Sequence, residues 1–182
     1  MKYKKFVGKQ EITAEEIKIL RKKLKLTQKE FAELLNCSKP TIERWETSKE
    51  PVKGPAAVAM SLLNRQPEYV REIQIPEKKE PIRLWYMYQQ MLCTLIEVNE
   101  AKRKVEIKNY TNKPIFRAFG VIDNPDFKAY EEFLESRCFP RTRDKMKLVL
   151  KDLDLPFYDP FLIIEITEGR MAEDEFWIQI ER

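Results

Sequence analysis

Between residues 13 and 73, apolar positions recur at three- and four-residue spacing, the mark of amphipathic helices packed on one core. The spacing predicts a first helix over 14–24, with Ile17, Leu20 and Leu24 on one face and Lys18, Arg21 and Lys22 elsewhere. A second helix, over 28–35, carries Phe31, Leu34 and Leu35 as its buried stripe. Each is announced by a capping box, Thr13 with Glu16 and Thr27 with Glu30, whose side chains satisfy N–H groups that a first turn leaves unbonded. Asn36 suits the left-handed conformation that ends a helix and turns the chain. Ser38 is then placed to cap a third helix, and Pro40 is tolerated in its first turn. Ile42 and Trp45 face inward on that helix, and its remaining residues, including Lys39, Thr41, Glu43 and Arg44, face outward. Pro55 opens a fourth helix over 56–64, and Pro67 a fifth near 68–72.

The texture changes after Pro81. Gln74-Ile-Pro-Glu-Lys-Lys-Glu-Pro81 sets two prolines around four consecutive charges without periodicity, which predicts a linker over 74–83 between a domain at 1–73 and one at 84–182. Segments 84–88, 93–98 and 105–110 are aromatic or β-branched and read as strands, with 99–103 a hairpin-length connection. Phe127, Tyr130, Phe133 and Leu134 mark a helix, Met146 to Leu150 a second, and Asp159-Pro160 caps a third through Ile166. Segment 175–180 alternates and returns as a strand. The fold class is therefore α+β: a helical domain followed by a small mixed α+β domain.

Composition narrows the chemistry. No run approaches the roughly 18–20 apolar residues of a membrane span, and no apolar signal core follows the lysine-rich start, so a cytoplasmic chain without a membrane partner is expected. Histidine is absent, which removes catalytic triads, Cys–His dyads and histidine-held metals. Cys37, Cys93 and Cys138 lie far apart and form no CxxC pair, so neither a disulfide framework nor a zinc site is expected. The expectation is a protein that is not an enzyme and holds no cofactor. Charge is unevenly divided: residues 1–83 carry 19 Lys/Arg against 12 Asp/Glu, whereas residues 84–182 carry 15 against 18. A basic first part fits a nucleic-acid module, its lysines over 2–25 being either a solvated face or an arm that follows phosphates.

Two short helices joined by a tight turn, the second with a polar outer face, form a helix-turn-helix that can enter a major groove. Counted from Gln28, apolar residues Phe31, Leu35, Cys37, Ile42 and Trp45 fall where such a motif packs, with the small Ala32 at the helix contact. Residues 12–64 resemble the Cro/repressor-like (XRE) helix-turn-helix family. The stretch Arg44-Trp-Glu-Thr-Ser-Lys-Glu-Pro-Val-Lys-Gly-Pro-Ala56 further resembles antitoxin-type regulators. The resemblance implies that Gln28 anchors the first motif helix beside the DNA backbone and that Ser38, Lys39, Thr41 and Arg44 face bases or phosphates. Asn36 and Ser48 depart from the glycines usual at those positions, which alters loop backbones and leaves the outer face unchanged.

The second domain offers Arg137, Arg141 and Arg143 near one helix junction. Such arginines either hold a phosphate or carboxylate of a partner or, more commonly, pair internally. Phe133-Leu-Glu-Ser-Arg-Cys-Phe-Pro-Arg-Thr-Arg143 and Gly169-Arg-Met-Ala-Glu-Asp-Glu-Phe-Trp-Ile178 resemble the N-terminal accessory segment of HipA-like kinases. The expectation is a transcriptional repressor that binds double-stranded operator DNA as a homodimer and acts with a HipA-like kinase toxin. The alternative is a mobile-element or phage-type repressor whose second domain senses a ligand or forms the dimer.

Overall fold

A computed structural model of the chain describes residues 9–182. They divide into two compact units, the first ending at Ile75 and the second beginning at Pro76.

The first unit contains β1 (Glu11–Ile12), α1 (Ala14–Lys23), α2 (Gln28–Leu34), α3 (Lys39–Thr47), β2 (Val52–Lys53), α4 (Pro55–Arg65) and α5 (Pro67–Ile73). Both capping boxes are formed: the Thr13 N–H donates to Glu16 Oε2 at 2.9 Å, and the Thr27 N–H to Glu30 Oε2 at 2.7 Å. Asn36 adopts a φ of 50°, the left-handed turn between α2 and α3. Ser38 occupies the cap position of α3 without a side-chain capping bond, because its hydroxyl bonds Thr41 Oγ1 at 2.9 Å instead. Ile17, Phe31, Ile42, Ala57 and Met60 are sealed from solvent and form one core. The pairing of Glu11 with Lys53 and Ile12 with Val52 adds a two-residue bridge to the helices. It ties the chain entering α1 to the loop after α3.

Trp45 is half-buried, packed against this core but not enclosed by it. Trp45→Ala is expected to cost about 2 kcal/mol in chemical denaturation, below the 3–5 kcal/mol of a fully enclosed aromatic. A cost under about 0.5 kcal/mol would place the indole outside the packing.

The second unit is a four-stranded antiparallel sheet in the order β5-β4-β3-β6, formed by β3 (Ile82–Tyr88), β4 (Met91–Asn99), β5 (Lys104–Asn109) and β6 (Phe176–Glu181). Between β5 and β6 run α6 (Phe127–Ser136), α7 (Met146–Asp152) and α8 (Pro160–Thr167). Leu84, Tyr86, Ile96, Val98 and Ile178 share the core with Phe133 and Leu134 of α6 and Ile163 and Ile164 of α8. Asp126 and Asp159 cap these two helices, accepting from the N–H groups of Ala129 at 2.8 Å and Leu162 at 3.1 Å.

Residues 76–83 are not a free tether. The Lys79 and Glu80 N–H groups donate to Glu97 Oε2 at 3.1 and 2.9 Å. The buried Arg83 guanidinium bonds Glu97 Oε1 through Nε at 2.7 Å and the Pro76 carbonyl at 2.9 Å. The segment has no periodicity because its donors are met by one carboxylate across the sheet, and β3 already begins at Ile82.

The outer edge of β6 is covered at its start. The Gln89 N–H donates to the Glu175 carbonyl, so the ladder phase turns the main-chain groups of Phe176, Ile178 and Ile180 away from β3. Of these, the Phe176 carbonyl accepts from Arg137 Nη2 at 3.1 Å, and the Ile178 N–H donates to the Glu168 carbonyl at 2.7 Å.

Candidate nucleic-acid interface

The helix-turn-helix is held from inside by a charged group. Glu46, on α3, is 3% exposed. Its Oε1 accepts from Arg21 Nε of α1 at 2.6 Å, and its Oε2 from Arg21 Nη2 at 3.1 Å and from Gln28 Nε2 of α2 at 2.8 Å. One carboxylate therefore joins all three helices. Burial alone would raise its pKa, but the bonds from Arg21 and Gln28 prevail and hold it below the usual carboxylate range. Arg21 also donates to the Leu26 carbonyl at 3.2 Å, fixing the turn before α2.

With Ile42 and Glu46 turned inward, α3 presents the opposite face to solvent. Lys39 and Arg44 are exposed, and Thr41 and Glu43 half-exposed. Lys39 Nζ lies 3.1 Å from Glu43 Oε1, an exposed pair that water screens and that can open at little cost. Among the described residues, the Arg44 guanidinium has no hydrogen-bond or ion-pair partner in the protein. Lys49, in the loop after α3, is likewise exposed and unpaired, a position that sequence periodicity does not single out.

The five first-unit candidates thus occupy different situations. Thr41 and Arg44, three residues apart, share the outer side of α3, with Ser38 and Lys39 exposed at its start. Gln28 is half-buried and its amide N–H₂ is engaged by Glu46, so it is held in one orientation beside that face. Of the basic stretch over 2–25, residues 1–8 lie outside the described residues, and Lys23 is committed to the Asn64 carbonyl and Oδ1 at 2.8 and 2.9 Å.

In the second unit the arginine cluster separates. Arg137 is buried and wholly used within the fold, its guanidinium pairing both Asp174 oxygens at 2.6 and 3.0 Å and the Gly169 carbonyl at 2.8 Å. Arg141 is exposed, pairs with Glu135 at 2.6 Å and lies 4.5 Å from the Tyr158 ring centroid. Arg143 lies 5.7 Å from the Phe139 ring. The three do not converge on a common anion site, and Arg137 is turned into the fold. All three cysteines are free, and burial raises each thiol, Cys138 to about 12, which disfavours the thiolate a nucleophile requires. Among the described residues, no helix is long and apolar enough to cross a membrane.

Residues 17–61 match the family model described as helix-turn-helix. Over 67 residues the chain is 33% identical to the antitoxin HigA-2 of Vibrio cholerae serotype O1, a stretch covering 37% of this chain and 64% of that protein. The chain thus spans less than two thirds of the length of the relative it matches. The family match places a helix-turn-helix within the first unit.

Proposed function

We propose, from the helix-turn-helix at residues 17–61, that this protein is a cytoplasmic, sequence-specific repressor of antitoxin type that acts on its own operator as a homodimer. The observation that carries the reading is Arg44. It is an uncommitted guanidinium on the outer face of a helix whose inner face is locked by Ile42 and Glu46. A bidentate arginine is the commonest reader of guanine edges in a major groove, whereas a lysine such as Lys39 serves a phosphate as a point charge. A short recognition helix reads only a few base pairs, so a two-fold operator met by two copies supplies the remaining specificity.

The second unit is read as the partner-binding half, its occupant a HipA-like kinase. The resemblance of 133–143 and 169–178 to the accessory segment of those kinases supports this reading, and the two stretches meet in the Arg137–Asp174 pair. That pair is internal to the second unit and leaves Arg141 and Arg143 as the outward members of the cluster.

Operator titrations over a salt series test the DNA-binding reading. Arg44→Ala is expected to cost about 1–3 kcal/mol and to relax discrimination at one base position. Lys39→Ala is expected to weaken all sequences alike and to reduce the salt slope by about one. Unchanged affinity in both variants would remove α3 as the reader.

A further inference from the structure

The two edges of the sheet in the second unit are unlike. At β6, the outward Phe176 carbonyl and Ile178 N–H are bonded within the chain. At β5, the Tyr110 N–H donates to the Cys93 carbonyl at 2.9 Å, so the ladder phase turns the N–H and C=O groups of Val105, Ile107 and Asn109 outward. Among the described residues, none of these outward groups meets a partner in the chain. Val105 and Ile107 are half-buried against the core and β5 pairs with β4 in unbroken register, so this edge is regular along its length. An unguarded edge of this kind is a template for strand addition.

We propose that a second copy of this chain docks on β5, the two β5 strands pairing antiparallel about Ile107 so that two four-stranded sheets become one. Charge and the outward main-chain groups together select this occupant and this register. Along β5 the residues on the face opposite the core read Lys104, Glu106 and Lys108. Pairing about Ile107 sets Glu106 opposite the second copy's Lys108, and the two-fold axis repeats that contact. Pairing about Glu106 would instead oppose Glu to Glu and Lys to Lys. The favoured register also brings every outward group into a hydrogen-bonded pair: Val105 with the second copy's Asn109, Ile107 with the second copy's Ile107, and Asn109 with the second copy's Val105. Because the outward groups at the start of β6 are occupied from Phe176 to the Ile178 N–H, addition closes after one partner and gives a dimer rather than a filament. The inference rests on reading the protein as a dimer and specifies the surface that makes it one.

Sedimentation equilibrium on the full chain is the test, with circular dichroism as a check on folding. Glu106→Lys and Lys108→Glu should each raise the dimer Kd about tenfold, since two attractive cross-strand pairs become repulsive. The double exchange should return it to within about threefold of the parent. Amide hydrogen exchange on the unmodified protein gives a second readout, in which Val105, Ile107 and Asn109 are protected at dimer concentrations and lose protection on dilution. A dimer whose Kd ignores both single exchanges, or whose three amides exchange freely, is assembled elsewhere; the β5 interface is then overturned while the dimeric reading stands. A chain that remains monomeric both free and on operator DNA overturns both.

Discussion

Replacing Arg137 with alanine lowers the stability of the second unit by about 2–4 kcal/mol, short of a fully enclosed pair because Asp174 retains 31% side-chain exposure. The buried guanidinium bonds Asp174, the Gly169 carbonyl and the Phe176 carbonyl, so its removal leaves two carbonyls without these donors and Asp174 with the Phe176 N–H. Arg137→Lys recovers only part of the loss, because an ammonium cannot span the planar fork that these acceptors fit. The effect carries a pH signature. The Arg137 bond holds the Asp174 carboxyl below the usual aspartate range. Its contribution is present above the unfolded-state pKa of about 3.9 and is lost as pH falls through the lower folded value. Urea denaturation at neutral pH and near pH 3 should show the parent losing stability that Arg137→Ala has already lost. An equal drop in both proteins would exclude the pair as its source.

Glu46→Ala should cost the first unit about 2–4 kcal/mol, less than a fully enclosed pair because Arg21 retains 17% side-chain exposure and can turn to water. Operator binding should weaken as well, since α1, α2 and α3 lose their common bond and Gln28 its fixed orientation. Glu46→Gln keeps an acceptor and should fall between the two. Thermal melts followed by operator titration below the melting range separate the effects. A stable Glu46→Ala variant with parental affinity would show that packing alone sets the angle between α2 and α3.

The helices of the first unit were legible because their signals are local. Capping boxes at Thr13 and Thr27, the left-handed Asn36 and the buried stripe through Phe31 and Ile42 each involve residues within a turn or two. Glu46 was not. A carboxylate beside Trp45 reads as solvent-facing, and Arg21 and Gln28, on other helices, make its burial tolerable. Trp45 reads as inward from its motif position, yet the helix phase that buries Glu46 leaves the indole half-covered. The β1–β2 bridge left no trace because two residues show no alternation. In the second unit the strands and helices followed from alternation and capping, whereas the sheet order did not. Arg137, Arg141 and Arg143 are close in sequence, but their roles diverge with their partners, and those of Arg137 come from the connection between α8 and β6 and from β6 itself.

The same sheet order bears on how the chain acquires its structure. The bonds that join α1, α2 and α3 at Glu46 span only 18 and 25 residues, so that unit can condense quickly once those helices exist. In the second unit, β3 lies between β4, its hairpin neighbour, and β6, which pairs Tyr88 with Phe176 roughly ninety residues later. Until that long loop closes, β3 is itself an unprotected edge, and Arg137 lacks the Phe176 carbonyl that it bonds in the finished fold. The slow step therefore falls on β6, and the interval before it docks is when this protein is most exposed to mispairing with other chains.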